Sequence, residues 1–374
     1  MSTPTPSQLN VPGQAKRRKN VPKLPLAVFN TSHPVPAPGK TPLPPSPSKI
    51  HPSAVIDSRV SIDSLEDTKK WKASAHEKSD SLVLFLNSPS IDGAVEIVEQ
   101  LKDAPTLSAL SISIPFPLFS GRPAAPISFP NTSVTSRITL SVQVTNPVIT
   151  PAFIEGVKWA LEQNHNVELD VRSLPHSSTR RPEEENPKGG YDYLEELIDK
   201  SQEGLAGAAD APDEAINPQT PAIIISNLLP PPVGRDVPSQ QLATNPGYLA
   251  YQSHIASLSL HKNTYLTLLP PAWSPGLTET GLVDAKERND WKRRIKLYLG
   301  PALEAFGEYR ILYGSSSVSA SDPIAPSAKI NPLDWYLLAR EAVTELGVEQ
   351  EGVDAIFHEN AKKVFARAID TSGK

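Results

Sequence analysis

The chain has 374 residues, of which 39% are apolar, enough to form the core of one large domain or two small ones. Its formal net charge of -5 provides no overall attraction to nucleic acid or to an anionic membrane, so we expect neither as a partner. The absence of cysteine excludes disulfides, thiolate zinc sites and cysteine nucleophiles. With no apolar run near the roughly 20 residues of a membrane helix, we expect a soluble, cytoplasmic protein.

Residues 1–50 are rich in proline, serine and threonine and are predicted to form a disordered arm ahead of a barrel domain over 51–374. The basic cluster Lys16–Lys19 within the arm is interpreted as solvated charge, with a nuclear address as the alternative. The segment TPLPPSPSK can adopt a polyproline II conformation. It is a candidate for binding a protein partner through an aromatic groove, or for a proline-directed kinase at Ser46.

Short β-like runs alternate with helix-like segments from residue 55 onward. The predicted strands are 55–62, 81–87, 110–115, 138–144, 166–172, 222–227, 264–269 and 310–314. The clearest predicted helices are 93–103, 151–164, 191–202, 249–261 and 290–307. This alternation favours a parallel α/β sheet, and a count of eight strands favours a closed (β/α)₈ barrel of the TIM type over an open sheet.

Two predicted strands carry charged residues on one face. In the first, VIDSRVSI, a strict alternation places Asp57, Arg59 and Ser61 together, opposite Ile56, Ser58, Val60 and Ile62. In the fifth, NVELDVR, the alternation groups Glu168, Asp170 and Arg172. We expect the polar set of the fifth strand to face the barrel interior, because its apolar residues would meet the surrounding helices.

The last third of the chain resembles a known family. The runs WKRRIKLYLGPALEAFGEYRILYGSSSV and WYLLAREAVTELGVEQEGVDAIFHENAKKVF are similar to the C-terminal end of the amidohydrolase-related family, which includes lactonases of sugar acids and pyrone dicarboxylates. Weaker similarity runs discontinuously from about residue 55 to 367. The resemblance implies a barrel with a divalent metal at its mouth, held by a His-x-His pair on the first strand and by ligands on later strands, where the metal activates a water molecule.

The residues that match the family's metal ligands are different in this chain. IDSRVSI places Arg59 and Ser61 at the His-x-His positions, IIISNLL places Ser226 and Asn227 at an Asp-His pair, and YGSSSV places Ser316 at the metal-binding Asp. A guanidinium stays protonated and has only donors, so it cannot serve as an ordinary metal ligand. The sequence therefore predicts neither a metal nor another cofactor, and a degenerate barrel that is a non-catalytic binding or scaffold protein.

The alternative is a metal-independent hydrolase or lactonase that acts on an anionic small molecule, such as a sugar-acid lactone. It would use Arg59, Arg172 and His176, of which His176 is the weak catalytic candidate because it follows the fifth strand closely. The predicted binding residues are Arg59, Ser61, Arg172, His176, Asn227 and Ser316. We expect them to converge in a metal-free, net positive pocket, whose buried cations are compensated either by Asp57 and Asp170 or by an anionic ligand.

Overall fold

The structure is a computed structural model. It describes residues 46–87, 93, 96–97, 99–100, 109–124, 138–144, 149–171, 191–204, 220–231, 237–271, 277–278, 281–282, 285–316 and 331–366. The compact unit begins at Ser46 and so includes the last five residues of the predicted arm. Residues 1–45 lie outside the described residues, as does most of the predicted helix 93–103. Among the described residues, no helix combines the length and apolarity that crossing a membrane requires.

Eight parallel strands form one sheet whose spatial order follows the chain order. They are β1 (Val55–Ile62), β2 (Ser79–Leu86), β3 (Ala109–Pro115), β4 (Ile138–Val144), β5 (Asn166–Val171), β6 (Ile223–Leu229), β7 (Thr264–Leu268) and β8 (Ile311–Tyr313). The last strand returns to the first, where the backbone N–H of Ser316 donates to the oxygen of Arg59 at 3.1 Å. The sheet is therefore a nearly closed barrel, which confirms the predicted (β/α)₈ class and its strands.

Helices surround the barrel. They are α1 (Leu65–Ser74), α2 (Pro151–Glu162), α3 (Asp192–Gln202), α4 (Ser239–Leu242), α5 (Pro246–Leu258), α6 (Ala285–Phe306), α7 (Pro332–Glu345), α8 (Gln350–Asp354) and α9 (Asn360–Phe365), with a π-helical turn at Ala355–Glu359. Polar caps set several starts: Thr150 accepts from Phe153 N before α2, and Asn245 accepts from Gly247 N before α5. The cap at Asn245 explains why α5 begins three residues before the predicted 249.

The N-terminal end of the barrel is sealed by the last helix. Residues Ala361, Val364 and Phe365 of α9 form a core cluster with interior residues of the strands, including Ile56 and Val83. Two amides fix this packing. Asn166 Nδ2 donates to Val364 O at 3.1 Å, and Asn360 Nδ2 donates to Ile311 O at 2.8 Å. The C-terminal ends of the strands form the opposite end of the barrel, the mouth.

β1 does not keep the predicted alternation, because it contains a bulge. Its pairing with β2 advances from Asp57 opposite Leu82 to Val60 opposite Leu84, so three steps on β1 face two steps on β2. Asp57 consequently points outward, where Trp71 Nε1 of α1 donates to Oδ2 at 2.8 Å. Arg59 points into the barrel. The prediction that Asp57 and Arg59 share one face is therefore wrong.

The bulge also divides the apolar face predicted for β1. Val60 and Ile62 pack in the outer cluster with Trp71, whereas Ile56 packs inside the barrel with the residues of α9. Ser58 also faces the interior, where it lines a small cavity. In β5, by contrast, the alternation holds as predicted, with Val167, Leu169 and Val171 in the outer core and the acidic residues between them facing inward.

Candidate functional site

The guanidinium of Arg59 lies between two carboxylates of β5 inside the barrel. Its Nε is 2.7 Å from Glu168 Oε1, and its Nη2 donates to Asp170 Oδ2 at 2.9 Å. Its Nη1 donates to the backbone oxygen of Ser316 at 2.8 Å, and its central carbon is 4.2 Å from the ring centroid of Phe85. One side chain thus connects β1 with β2, with β5 and with the chain just after β8. We call Arg59, Glu168, Asp170, Asn227 and Ser316 the Arg59 cluster.

Neutral polar groups donate further hydrogen bonds to both carboxylates. Asn227 Nδ2 donates to Asp170 Oδ1 from a backbone position with φ of 61°, a left-handed conformation that asparagine tolerates well. Ser226 Oγ donates to Glu168 Oε1 at 2.7 Å, and Ser113 Oγ donates to Oε2 at 2.9 Å. Every member of this shell lies on a barrel strand, so the backbone of the sheet fixes its geometry.

The charges of the cluster are buried and paired with each other. Arg59 is 2% exposed, Glu168 4% and Asp170 0%. One cation faces two carboxylates, which gives the described part of the cluster a formal charge of -1 rather than the positive sign we expected of the pocket. Removing ions from water costs several kcal/mol each, and the direct pairing with additional donors offsets that cost. The sequence predicted Asp170 as a partner and missed Glu168.

Asp57 supports the cluster from the other side of β1. Its carboxylate accepts from Trp71 Nε1 at 2.8 Å, from Ser315 N at 2.9 Å and from the backbone N–H of Arg59 at 3.2 Å. Burial raises the pKa of Asp57 to about 6, and the three donors only partly oppose that rise. Asp57 therefore joins β1 to β8 through backbone amides, and it does not neutralise the guanidinium as we predicted.

The junction where β8 meets β1 leaves little room for a side chain at Gly314. A Cβ at Gly314 would lie 2.8 Å from Leu269 Cδ2 and 3.1 Å from the Cβ of Arg59. The carbonyl of Gly314 accepts from Trp335 Nε1 at 2.9 Å, which ties this junction to α7. The close approach lets the chain after β8 place the Ser316 carbonyl on the guanidinium.

The other predicted site residues do not all join the cluster. Arg59, Asn227 and Ser316 converge as expected, the last through its backbone oxygen. The hydroxyl of Ser61 instead donates to Asn87 Oδ1 at 3.0 Å, between the ends of β1 and β2. Arg172 and His176 lie outside the described residues, so their roles stay predictions.

The donors of the cluster do not fit a divalent metal ion. The carboxylate oxygens that such an ion would need are bonded to Arg59, Asn227 and serine hydroxyls, and a guanidinium cannot coordinate a metal. Three described histidines have other contacts: His76 with Tyr336, His254 with Glu195 and His358 with Glu359. The described part of the cluster therefore offers no open set of ligands for a divalent ion.

Among the described residues, one trio of potential metal ligands lies on two of the outer helices. His254 Nδ1 of α5 is 3.1 Å from Glu195 Oε1 and 3.4 Å from Asp192 Oδ1, both on α3. The trio lies in the first turn of α3, where the helix dipole disfavours a cation. We therefore interpret it as a polar contact that joins two neighbouring helices.

Solved structures of amidohydrolases resemble this chain. An amidohydrolase from Burkholderia multivorans with bound zinc aligns with a TM-score of 0.52 and 11% identity, covering 83% of this chain and 99% of that chain. The two proteins share one fold. The same enzyme with bound HEPES, in another space group, gives the same values. Amidohydrolase 2 from Bifidobacterium longum subsp. infantis aligns at 14% identity with a TM-score of 0.45, covering 83% and 98% of the two chains.

The sequence comparisons add nothing to this likeness. No family model matches the chain, and no curated protein matches it. The predicted resemblance to amidohydrolases is thus confirmed for the fold, by structure and not by sequence.

Proposed function

We propose that this protein is an amidohydrolase-fold barrel in which a buried ion pair replaces the metal ion, and that it acts as a non-catalytic binding or scaffold protein. The observation that carries the proposal is the position of Arg59, whose guanidinium bonds to Glu168, Asp170 and the Ser316 carbonyl at once. A metal-dependent hydrolase needs carboxylate or imidazole ligands with free lone pairs at this place. Here the described carboxylates are occupied by donors of the chain.

The same contacts argue against catalysis by the cluster itself. A general base needs a lone pair that can reach a substrate proton, yet Glu168 forms an ion pair with Arg59, accepts from Ser113 and Ser226, and is only 4% exposed. Arg59 in turn is compensated by two carboxylates, so it has little tendency to bind an anionic substrate. The cluster is built to hold strands together.

The rival function is a metal-independent lactonase that works through Arg59, Arg172 and His176. The engagement of Arg59 within the cluster disfavours it, since the guanidinium would have to leave two carboxylates to bind the substrate. Turnover of a simple sugar-acid lactone by the purified protein, lost in a His176→Ala variant, would support this rival.

For the scaffold function we propose a protein partner that binds the proline-rich arm. The support is the sequence TPLPPSPSK, which spans residues 41–49 and crosses the start of the compact unit at Ser46, where Pro47–Lys49 form a single 3-10 turn. A pull-down with the full chain and with a chain that lacks residues 1–45 tests this part. Equal recovery of partners by both would remove the arm from the proposal.

Metal analysis of the full chain, purified without chelators, tests the replacement of the metal. We expect far less than one zinc or manganese ion per chain by mass spectrometry, and the same thermal unfolding with and without EDTA. Growth in medium supplemented with zinc and manganese is the control for metal supply. One tightly held ion per chain, whose removal lowers the melting temperature, would overturn the proposal.

A further inference from the structure

A small polar cavity lies in the barrel between the Arg59 cluster and α9. Its volume is about 10 Å³, and its polar lining consists of Ser58, Ser113, Thr139, Glu168, Ser226 and Thr267. The interior of a TIM barrel is ordinarily filled by branched apolar side chains. Five hydroxyl groups from five strands therefore converge where packing alone would favour valine and isoleucine.

Two of these hydroxyls are unsatisfied within the described part of the chain. Neither Ser58 Oγ nor Thr139 Oγ1 has a hydrogen-bond partner there, and the two residues are 6% and 1% exposed. Buried hydroxyls are nearly always bonded to protein or to ordered water, because an unmade bond costs free energy. Both groups lie on the wall of the same cavity, so one bound molecule can satisfy both.

Glu168 offers the complementary acceptor on the same wall. A carboxylate can accept about four hydrogen bonds. Oε1 is bonded to Arg59 Nε and Ser226 Oγ, while Oε2 accepts from Ser113 Oγ. One acceptor position on Oε2 is left for a donor in the cavity.

We propose that the cavity binds one structural water molecule, which accepts from Ser58 and Thr139 and donates to Glu168. The volume is at the lower limit for a single water, and a buried water typically has two to four polar partners. The wall supplies two donors and one strong acceptor, which matches the bonding of water and not that of an apolar ligand. Through Glu168 the water holds the orientation of Arg59, so it is a part of the cluster's support.

A pair of threonine variants tests the proposal on the full chain. Thr139→Val keeps the shape of the side chain and removes the hydroxyl that contacts the water. Thr264→Val is the matched control, because Thr264 Oγ1 is likewise buried without a partner among the described residues but is not on the cavity wall. We expect Thr139→Val to lower the melting temperature by roughly 2–4 °C, and Thr264→Val to leave it unchanged or raise it.

Direct detection of the water keeps the test valid if Thr139→Val fails to fold. A high-resolution crystal structure of the unmodified protein should show one ordered water within hydrogen-bond distance of Ser58, Thr139 and Glu168. A dry cavity in that structure, or equal stability of the two valine variants, would contradict the proposal. Sodium chloride in place of choline chloride provides a cation small enough for the cavity. A higher melting temperature in sodium chloride, seen with Thr139 but not in Thr139→Val, would assign the cavity to a cation and overturn the proposal of a water molecule.

Discussion

Replacing Arg59 by methionine isolates the contribution of the buried ion pair. Methionine keeps most of the length of the side chain and its contact with Phe85, but it removes every charge-assisted bond. Glu168 and Asp170 then remain buried without their cation, at 4% and 0% exposure. Removing one partner of a buried pair destabilises a protein by about 3–5 kcal/mol, because the remaining charge is uncompensated.

The expected shift in melting temperature follows from the size of the domain. The unit Ser46–Lys374 unfolds with an entropy of about 0.7 kcal/mol per kelvin if each residue contributes roughly 2.1 cal/mol per kelvin. A loss of about 3–5 kcal/mol then lowers the melting temperature by about 4–7 °C. Equilibrium unfolding in urea, followed by the fluorescence of the buried residues Trp71, Trp291 and Trp335, gives the free energy independently.

Arg288→Met is the matched control for this experiment. Arg288 makes two hydrogen bonds of 2.8 Å to Glu341, but the two side chains are 28% and 25% exposed. Ion pairs in contact with water contribute at most about 1 kcal/mol. If Arg59→Met costs no more than Arg288→Met, then the cluster does not hold the barrel together and the reasoning above is refuted.

Two further variants test the fold around the cluster. Asp57→Asn should change the pH dependence of stability. Because burial raises the pKa of Asp57 to about 6, the folded state binds this proton more tightly than the unfolded state, so the wild type loses about 3 kcal/mol of stability as the pH rises from about 4 to about 6. The variant has no carboxyl group to titrate at this position and should lack that loss. The measurement is the free energy of unfolding in urea at several pH values between about 4 and about 6. The same change with pH in both proteins would contradict this prediction. Gly156→Ala should destabilise by at least about 2 kcal/mol, because its Cβ would lie 2.1 Å from the Leu118 carbonyl oxygen. Gly300→Ala, with nothing within 4 Å of its Cβ, is the control and should be neutral or stabilising in α6.

The strands of the barrel could be predicted because each is a short apolar run between turn signals, and this pattern lies within one continuous stretch of the sequence. The inward position of Glu168 and Asp170 followed from the alternation in β5, where each residue pairs in register with β4 and β6. The same alternation failed in β1. Its bulge depends on how β1 pairs with β2, and a register between strands cannot be read from one strand alone.

The partners of Arg59 show a second limit of sequence reasoning. The sequence indicated that a buried arginine needs a counter-charge, and it offered Asp57 from the same strand and Asp170 from a distant one. Of these two aspartates, Asp170 alone pairs with Arg59, because the bulge turns Asp57 to the opposite side of β1, and Glu168 supplies the second carboxylate. The cavity lined by Ser58 and Thr139 could not be foreseen either, since it arises from side-chain volumes contributed by separate strands.

The sealing of the barrel by α9 has a consequence for biosynthesis. The interior residues Ile56 and Val83 belong to the first strands to leave the ribosome, yet they pack against Ala361, Val364 and Phe365 near the end of the sequence. During translation the inner apolar surface of β1 and β2 therefore stays without its α9 partner while more than 250 residues are added. A nascent chain in this condition is a natural client for chaperones that bind exposed apolar strands, and its release from them depends on the docking of a helix only six residues long.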